Sequence, residues 1–219
     1  MTRRQAPNPP GRFLTIEGIE GVGKTTQVAR LAGLLDERGI AHIVTREPGG
    51  TPLAEKMRDL VLNPREEPLP PAAELMLMFA ARSVHLANRI EPALKAGSWV
   101  VCDRFTDATY AYQGGGRGMN RDHIGILETV VQGTRRPDLT LLLDLPAEVG
   151  LARSRRRDAG KAADRFERER AEFFERVRDA YLERARAEPQ RVAIIDATAS
   201  MDEVTRHITD VLRSKTWIS

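Results

Sequence analysis

The sequence predicts an α/β protein with a doubly wound parallel sheet. Apolar segments of strand length alternate along the chain with segments of helical period, and residues 139–145 are apolar except for Thr140 and Asp144. A strand that is apolar on both faces is typical of a parallel sheet covered by helices on both sides. The chain has 219 residues, of which 41% are hydrophobic and 30% charged. This length and composition suit one domain with a substantial core.

The first half of the chain is predicted to contain three strands and three helices. The strands are expected at 13–17, 40–45 and 99–102. The first two helices are expected at 25–38, ended by Gly39, and at 51–62, ended by Asn63 and Pro64. After a Pro-rich loop at 66–71, the third helix is expected at 72–96, with a bend near Pro92 and its end at Gly97.

The second half continues the alternation. Strands are predicted at 139–145 and 192–195, and helices at 121–132, 173–186 and 201–212. Between these elements lies a highly charged segment, 153–170. We therefore expect one domain over residues 13–213, with a mobile lid at about 151–169 and short tails at 1–12 and 214–219.

Composition excludes several classes of protein. The net charge is only +3 and acids are interspersed with the many arginines, so we expect no nucleic-acid partner. No apolar run is long enough to span a membrane, and we do not expect the polar N-terminal residues to act as a secretory signal. Their Arg-rich, acid-poor bias leaves a transit peptide open, although a frayed tail fits better. The single cysteine, Cys102, is compatible with a reducing compartment, so we expect a cytoplasmic protein.

A phosphate-binding motif follows the first predicted strand and opens the first helix. It has the form G-x-x-x-x-G-K-[ST] and comprises Gly18, Ile19, Glu20, Gly21, Val22, Gly23, Lys24 and Thr25. The glycines let backbone N–H groups converge on phosphate oxygens at a helix N-terminus. Lys24 is expected to reach the β- and γ-phosphates and the Thr25 hydroxyl to bind Mg²⁺. The motif predicts a P-loop NTPase fold without deciding what is done with the phosphate.

Two acidic residues at strand ends are candidates for the magnesium site. Asp103 ends the third predicted strand, and an acid there can hold the metal directly or through water. A role for Asp103 as a helix cap remains an alternative. Asp144 is a weaker rival for the metal. Arg104 follows Asp103 and is expected to point toward the same cleft.

The charged segment is a candidate source of catalytic arginine. Because phosphoryl transfer spreads negative charge over the transferring oxygens, a cationic segment that closes over ATP would lower the barrier. The candidates are Arg153, Arg155, Arg156, Arg157 and Arg165. The alternative is a solvated helix face, with the charges balanced by Asp158, Asp164, Glu167 and Glu169. The four histidines lie apart in the sequence and none is assigned a role. If the acceptor is a phosphate monoester, it is mostly a dianion near neutral pH and needs no base.

From Phe13 to about Leu212 the chain resembles the bacterial thymidylate kinase family. Besides 16–26, which contains the P-loop, four motifs agree in order and spacing: Thr-Arg-Glu-Pro-Gly-Gly-Thr at 45–51, Leu-Met-Phe-Ala-Ala-Arg at 77–82, Asp103-Arg104 followed by 110–118, and Pro-Asp-Leu-Thr at 137–140. The resemblance implies a five-stranded parallel sheet, a homodimer, and transfer of the γ-phosphoryl of ATP to dTMP with Mg²⁺.

The resemblance also implies roles for residues in the acceptor site. Arg46 and Arg104 would hold the dTMP phosphate, and Phe79 would stack on thymine, although Phe79 also fits an ordinary core position. Arg82 would reach a thymine carbonyl, and Tyr112 would exclude a ribose 2′-hydroxyl. The acceptor set is completed by Glu47, Asp103, Thr109 and Gln113.

On the donor side, the family draws its transition-state arginine from the P-loop or from the lid. The P-loop here has Glu20 and Gly21 but no arginine, so the resemblance assigns that role to the lid, with Arg157 as the first candidate. The catalytic set is therefore Lys24, Arg104, Arg157 and Glu20. Thr26 and Arg153 are expected to complete the ATP site together with residues 18–25.

Two other functions compete with this interpretation. Another nucleoside monophosphate or deoxynucleoside kinase would use the P-loop and Asp103-Arg104 equally well. A nucleotide-dependent switch is disfavoured, because the sequence has no N-K-x-D guanine signature and would have no use for a second set of phosphate-binding arginines.

Overall fold

A computed structural model of the chain describes residues 11–157, 165–166 and 169–218. Five parallel strands form one sheet in the order β2-β3-β1-β4-β5. The strands are β1 Phe13–Glu17, β2 His42–Arg46, β3 Trp99–Asp103, β4 Leu139–Asp144 and β5 Val192–Asp196. The five predicted strands and their parallel arrangement are confirmed, with small differences at the ends.

Strand β1 lies at the centre of the sheet and is buried along its whole length. It pairs with β3 on one side and β4 on the other, and Ile16 lies opposite Asp103 in the register with β3. The loops that follow β1 and β3 therefore start side by side. In open α/β sheets this edge, at the carboxyl ends of the strands, is where ligands bind.

Helices cover both faces of the sheet. They are α1 Lys24–Glu37, α2 Pro52–Leu62, α3 Pro71–His85, α4 Glu91–Lys95, α5 Thr106–Thr109, α6 Arg121–Gln132, α7 Ala147–Arg157, α8 Ala171–Ala187 and α9 Met201–Ser214. Side-chain caps fix two of the starts. The Thr51 hydroxyl accepts the Ala54 N–H before α2, and Ser200 forms a reciprocal capping box with Glu203 before α9.

The helix predicted at 72–96 is interrupted. Helix α3 ends at His85, a widened π-helical turn occupies Leu86–Ile90, and α4 begins directly after it. Pro92 explains the interruption, because it has no N–H to donate and its ring crowds the carbonyl one turn earlier. The predicted bend thus takes the form of a widened turn just before Pro92.

Two helical segments were not predicted. Helix α5 continues into a π-helical turn at Tyr110–Gly116, and α7 includes most of the lid arginines. Glycine disfavours helices, so the three consecutive glycines at 114–116 argued against predicting the first of these segments. The structure explains the run: a Cβ on Gly115 would lie 2.6 Å from the Cβ of Ala180, and one on Gly116 would lie 2.9 Å from Val177. Helix α8 packs too closely to leave room for side chains there.

The described residues near both chain ends, 11–12 and 214–218, pack on the domain, whereas the tails expected at 1–12 and 214–219 stay a prediction. The guanidinium of Arg12 lies 4.1 Å from the ring centre of Trp217, and Trp217 meets Trp99 edge to face. Ile218 is buried. Residues 1–10 and 219 lie outside the described residues. Among the helices of the described chain, none has the length and apolar character needed to cross a membrane.

Candidate active site

The motif between β1 and α1 forms a cradle of backbone N–H groups. Gly18, Gly21 and Gly23 have φ angles of 134°, 73° and 97°, which side chains rarely adopt. A Cβ on Gly21 would also collide with the carbonyl of Gly150 in α7. Glycine is therefore required at these positions, and the resulting loop at the start of α1 is suited to bind phosphate.

The side chain of Lys24 is buried against the cradle and bonds to its backbone. Only 8% of Lys24 is exposed, and its ammonium donates to the carbonyls of Gly18, at 3.0 Å, and Ile19, at 2.7 Å. Burial, followed by the charge of Arg104, lowers the pKa of Lys24 to about 8. The cationic side chain is thus held at the loop, next to where phosphate would bind.

Asp103 and Thr25 border one groove at the end of β3. The Oδ1 atom of Asp103 is buried and accepts no hydrogen bond from any described residue. A carboxylate oxygen beside a threonine hydroxyl and a phosphate site fits the requirements of Mg²⁺, which takes one or two protein ligands and fills its shell with water and phosphate. The rival Asp144 is engaged elsewhere, because Arg178 donates to both of its oxygens at 2.7 and 2.8 Å.

Arg104 lies beside the cradle in a cluster with Glu20 and Tyr112. Its guanidinium donates to Glu20 at 3.0 Å and to the Tyr112 hydroxyl at 2.7 Å, and that hydroxyl in turn donates to Glu20. Arg104 has a φ of 68°, an uncommon backbone conformation for a residue other than glycine. Strained backbone of this kind occurs where a side chain must point in one direction.

A cleft opens between Arg104 and helices α2, α3 and α5. Its lining consists of Glu20, Glu47, Pro48, Arg58, Leu62, Met78, Arg104, Ala108, Tyr112, Gln113 and Phe166. It therefore combines charged groups with apolar surface, as expected of a site for a nucleotide. Glu20 belongs to the cradle and also lines this cleft, so the two sites are contiguous. Its side chain thus faces the second site, although the prediction placed it in the catalytic and ATP-binding sets.

Phe79 does not line the cleft. Phe79 is 1% exposed and packs in a cluster with Leu75 and Ile124, while the preceding residue, Met78, lines the cleft instead. This burial fits the core alternative for Phe79, and its stacking on thymine stays a prediction. Successive helical residues point about 100° apart, so a one-residue difference selects a different face.

Arg82 belongs to a buried network behind the cleft. Its Nε donates to Glu47 at 2.7 Å and its NH2 group to Thr109 at 3.0 Å. The remaining nitrogen, NH1, is buried and has no hydrogen-bond partner among the described residues. The network continues from Glu47 to His85, at 3.1 Å, and from His85 to Thr45, at 2.7 Å.

Gln113 presents a second buried atom without a partner. Its amide nitrogen donates to Glu74 at 2.7 Å, which fixes the orientation of the amide because an ionised carboxylate only accepts. The Oε1 atom of Gln113 then has no hydrogen-bond partner in the described part of the chain. Gln113 lines the cleft, so this free acceptor lies at the cleft wall.

Arg46 lies opposite Asp103 in the register of β2 with β3 and does not line the cleft that contains Arg104. It lines the groove with Thr25 and Asp103, and its guanidinium pairs with Glu55 at 2.9 Å. That Arg46 and Arg104 hold the same phosphate stays a prediction.

The lid region is described only in part. Arg153 on α7 donates to the carbonyl of Ala197, and Arg157 donates to the Ser154 hydroxyl. Residues 158–164 and 167–168, which include several of the predicted charged positions, lie outside the described residues. Phe166 contacts Tyr112 edge to face at 5.6 Å, so this segment contributes an apolar wall to the cleft.

A buried carboxylate, that of Glu17, holds the backbone directly after Arg104. Glu17, at the end of β1, accepts the backbone N–H of Phe105 and the hydroxyl of Tyr181, both at 2.7 Å. Burial, followed by the nearby charge of Asp107, raises the pKa of Glu17 to about 8.

This pKa predicts a pH-dependent stability. Between about pH 4.5 and about pH 8 the folded chain holds a proton on Glu17 that the unfolded chain has released, so the free energy of unfolding falls as pH rises through that window. We expect Glu17→Gln, which keeps the side-chain shape and removes the titration, to make the free energy of unfolding less dependent on pH in this window. Urea unfolding of both proteins across the window measures it, and parallel curves would contradict the assignment.

Sequence reasoning missed Met78, Phe166 and His85 as contributors to the site. Met78 and Phe166 are apolar residues in segments with no clear period, and His85 lies far in sequence from the residues that it contacts. Spacing from Arg82 was the only available signal: Met78 lies one helical turn before it, on the same face.

Comparisons with known proteins agree with this geometry. The family model described as thymidylate kinase matches residues 16–208. A thymidylate kinase of Chromohalobacter salexigens is 57% identical over 94% of this chain and 98% of its own length, and one of Pseudomonas putida is 55% identical over 92% and 95%. A crystal structure of thymidylate kinase from Ehrlichia chaffeensis matches with a TM-score of 0.73 and 32% identity over 94% of this chain and 99% of that one. The chain therefore belongs to the thymidylate kinase family.

Proposed function

We propose that this protein transfers the γ-phosphoryl group of ATP to dTMP, giving ADP and dTDP. The choice of base is supported by two buried atoms that have no hydrogen-bond partner among the described residues: a donor, NH1 of Arg82, and an acceptor, Oε1 of Gln113. Gln113 lines the cleft, and Arg82 lies behind it, bonded to the cleft residue Glu47. Thymine has a carbonyl oxygen next to its N3–H group, which complements a donor and an acceptor. Cytosine presents the opposite pattern, and buried polar groups left unpaired cost binding energy.

The donor site rests on the cradle. The backbone of residues 18–26 would bind the ATP phosphates, and Lys24 would follow the charge of the transferring group. Thr25 and Asp103 would hold Mg²⁺, which neutralises charge on the phosphates when bound. Arg153 and Arg157 on α7 would contribute positive charge from the lid side.

The acceptor site rests on the cleft. The guanidinium of Arg104 would bind the dTMP phosphate, with Glu20 and Tyr112 setting its orientation. Met78 and Phe166 would provide the apolar walls for the base, a role predicted for Phe79. The acceptor phosphate is a dianion near neutral pH, so no general base is required.

The test is a comparison of acceptors. ADP release from ATP and Mg²⁺ is measured with dTMP, dUMP, dCMP, dGMP and thymidine under identical conditions. We expect kcat/KM for dTMP to exceed that for dCMP by about 10²-fold or more. A preference for dCMP or for thymidine would overturn the proposal while leaving the P-loop kinase assignment in place.

A lid arginine is predicted to act in the transition state. We expect Arg157→Ala to lower kcat by about 10²-fold while ATP binding weakens much less, because the developing charge on the transferred group exists only in the transition state. Single-turnover rates and ATP titration separate the two effects. Arg186→Ala, at an exposed arginine of α8 outside the cleft and the groove, is the matched control, and an equal effect in both variants would contradict the role of Arg157.

We also propose a homodimer that uses neighbouring helices α2, α3 and α6. These helices pack on one another and expose large apolar side chains: Leu53, Leu60, Met76, Ile126 and Val130. Val130 is 77% exposed, which is unfavourable for a residue facing water. We expect Val130→Glu to shift the protein toward monomer in analytical ultracentrifugation, whereas a wild-type monomer would exclude the proposal.

A further inference from the structure

His85 occupies the centre of a buried polar chain that the donor and acceptor sites do not include. Its side chain is fully buried, with Nδ1 at 3.1 Å from Glu47 and Nε2 at 2.7 Å from the Thr45 hydroxyl. Glu47 accepts from Arg82 with its other oxygen. His85 therefore connects β2 to the Glu47–Arg82 pair without touching the cleft itself.

The hydrogen positions follow from the partners. An ionised carboxylate only accepts, so Nδ1 of His85 must donate to Glu47. The charges of Glu47 and Arg82 balance each other, and a neutral imidazole keeps the buried chain free of net charge. Nε2 then accepts the hydroxyl hydrogen of Thr45. The ring is thus assigned the Nδ1–H tautomer.

Each oxygen of Glu47 depends on one partner. Oε2 is held by Arg82 and Oε1 by His85. Without the imidazole, Oε1 would be a buried carboxylate oxygen with no donor, and the carboxylate would rotate or change its partners. Arg82 would then lose the contact that fixes its Nε and would be oriented only by its contact with Thr109, so the direction of its NH1 group would be less well fixed.

The imidazole also supports the loop at 48–50. A Cβ on Gly50 would lie 2.6 Å from both the Cδ2 atom of His85 and the Thr45 hydroxyl, so the loop backbone rests directly on this pair. Pro48, in the same loop, lines the cleft together with Glu47. Removing the imidazole would therefore affect two parts of the acceptor wall.

We infer that His85 is a positioning residue for the acceptor base. It holds Glu47 in place, and Glu47 in turn orients Arg82 toward the base. The inference rests on the proposed function for the identity of the acceptor. It predicts that the contact from Nδ1 to Glu47, rather than the contact from Nε2 to Thr45, determines acceptor affinity.

Two amide substitutions separate these contacts. The amide nitrogen of Asn reaches the position of Nδ1, and that of Gln reaches the position of Nε2. We expect His85→Asn to keep KM for dTMP within about threefold of wild type. We expect His85→Gln and His85→Phe to raise it by about tenfold, with KM for ATP unchanged in all three variants.

The outcomes distinguish the inference from the proposed function. Wild-type turnover of dTMP is recorded first, and its absence contradicts the proposed function. The variant ratios are then measured on whichever monophosphate the wild type accepts. Equal effects of Asn and Gln, or equal changes in the two KM values, would overturn the positioning role and leave His85 as an ordinary core residue.

A measurement on the wild-type protein tests the same inference if the variants fail to fold. The chain has four histidines, so a long-range ¹H–¹⁵N spectrum of the imidazoles can be assigned. We expect an Nδ1–H signal for His85 that shifts when dTMP is added and does not shift with an unreactive ATP analogue. An Nε2–H tautomer, or an unchanged His85 signal on dTMP addition, would overturn the inference.

Discussion

Replacing Lys24 with Met is expected to lower kcat by about 10³-fold, equivalent to about 4 kcal/mol of transition-state stabilisation. The ammonium is held by two loop carbonyls at the cradle, where it can move to the phosphate oxygens when the nucleotide arrives. Negative charge grows on those oxygens during transfer, so losing the cation affects the transition state more than the ground state. Stopped-flow measurement of a single turnover reports the effect directly.

The choice of Met reflects the burial of Lys24. An Ala substitution would leave a gap at a side chain that is only 8% exposed, whereas Met keeps the apolar stem. Thermal unfolding should therefore show little change. Lys56→Met on α2 is the matched control, because Lys56 lies outside the cradle, the cleft and the groove. Near-normal turnover in Lys24→Met would show that the P-loop lysine is not part of the reaction.

Replacing Arg104 with Lys is expected to lower kcat/KM for dTMP by about 10²-fold while KM for ATP stays within a few fold. A guanidinium can bind a phosphate through two nitrogens and keep its contact with Tyr112, which a single ammonium cannot do. The positive charge is conserved in this variant, so the loss of kcat/KM reports the geometry of the phosphate contact. Arg104→Gln removes the charge as well and should lose more.

Arg121→Lys is the control for Arg104→Lys, because it makes the same substitution away from the site. It pairs with Glu183 at the surface through two hydrogen bonds of 2.6 Å and lines neither the cradle nor the cleft. Arg121→Lys should leave all kinetic constants unchanged. If Arg104→Lys raises KM for ATP as much as KM for dTMP, then Arg104 serves the donor phosphates and the acceptor assignment is wrong.

The sheet and the cradle could be predicted because their signals are local. Each strand is a short apolar run, and a backbone that must bend around a phosphate requires glycine at fixed positions within eight residues. The position of Asp103 at the end of β3 was equally predictable, since the carboxyl ends of parallel strands meet at one edge of the sheet. The missed segments are those in which local propensity opposes the observed structure, as at the glycines of 114–116, where packing against α8 decides.

The acceptor site was less predictable for a different reason. The stretch from Leu75 to Phe79 is apolar throughout, so its helical period does not show which side chain faces the cleft. The burial of Phe79 against Ile124 leaves Met78 on the cleft side. Likewise, Arg46 was predicted beside Arg104, but its pairing with Glu55 depends on how α2 packs.

The sequence by itself determined that the chain is an α/β protein with a P-loop, and its motifs identified the family, because these properties depend on neighbours within a few residues. The tertiary structure decided how groups distant in sequence combine: Thr45, Glu47, Arg82, His85 and Thr109 form one buried chain only because β2, α3 and α5 converge. A buried donor or acceptor is satisfied by whatever the fold brings within about 3 Å, and sequence spacing carries no record of that distance.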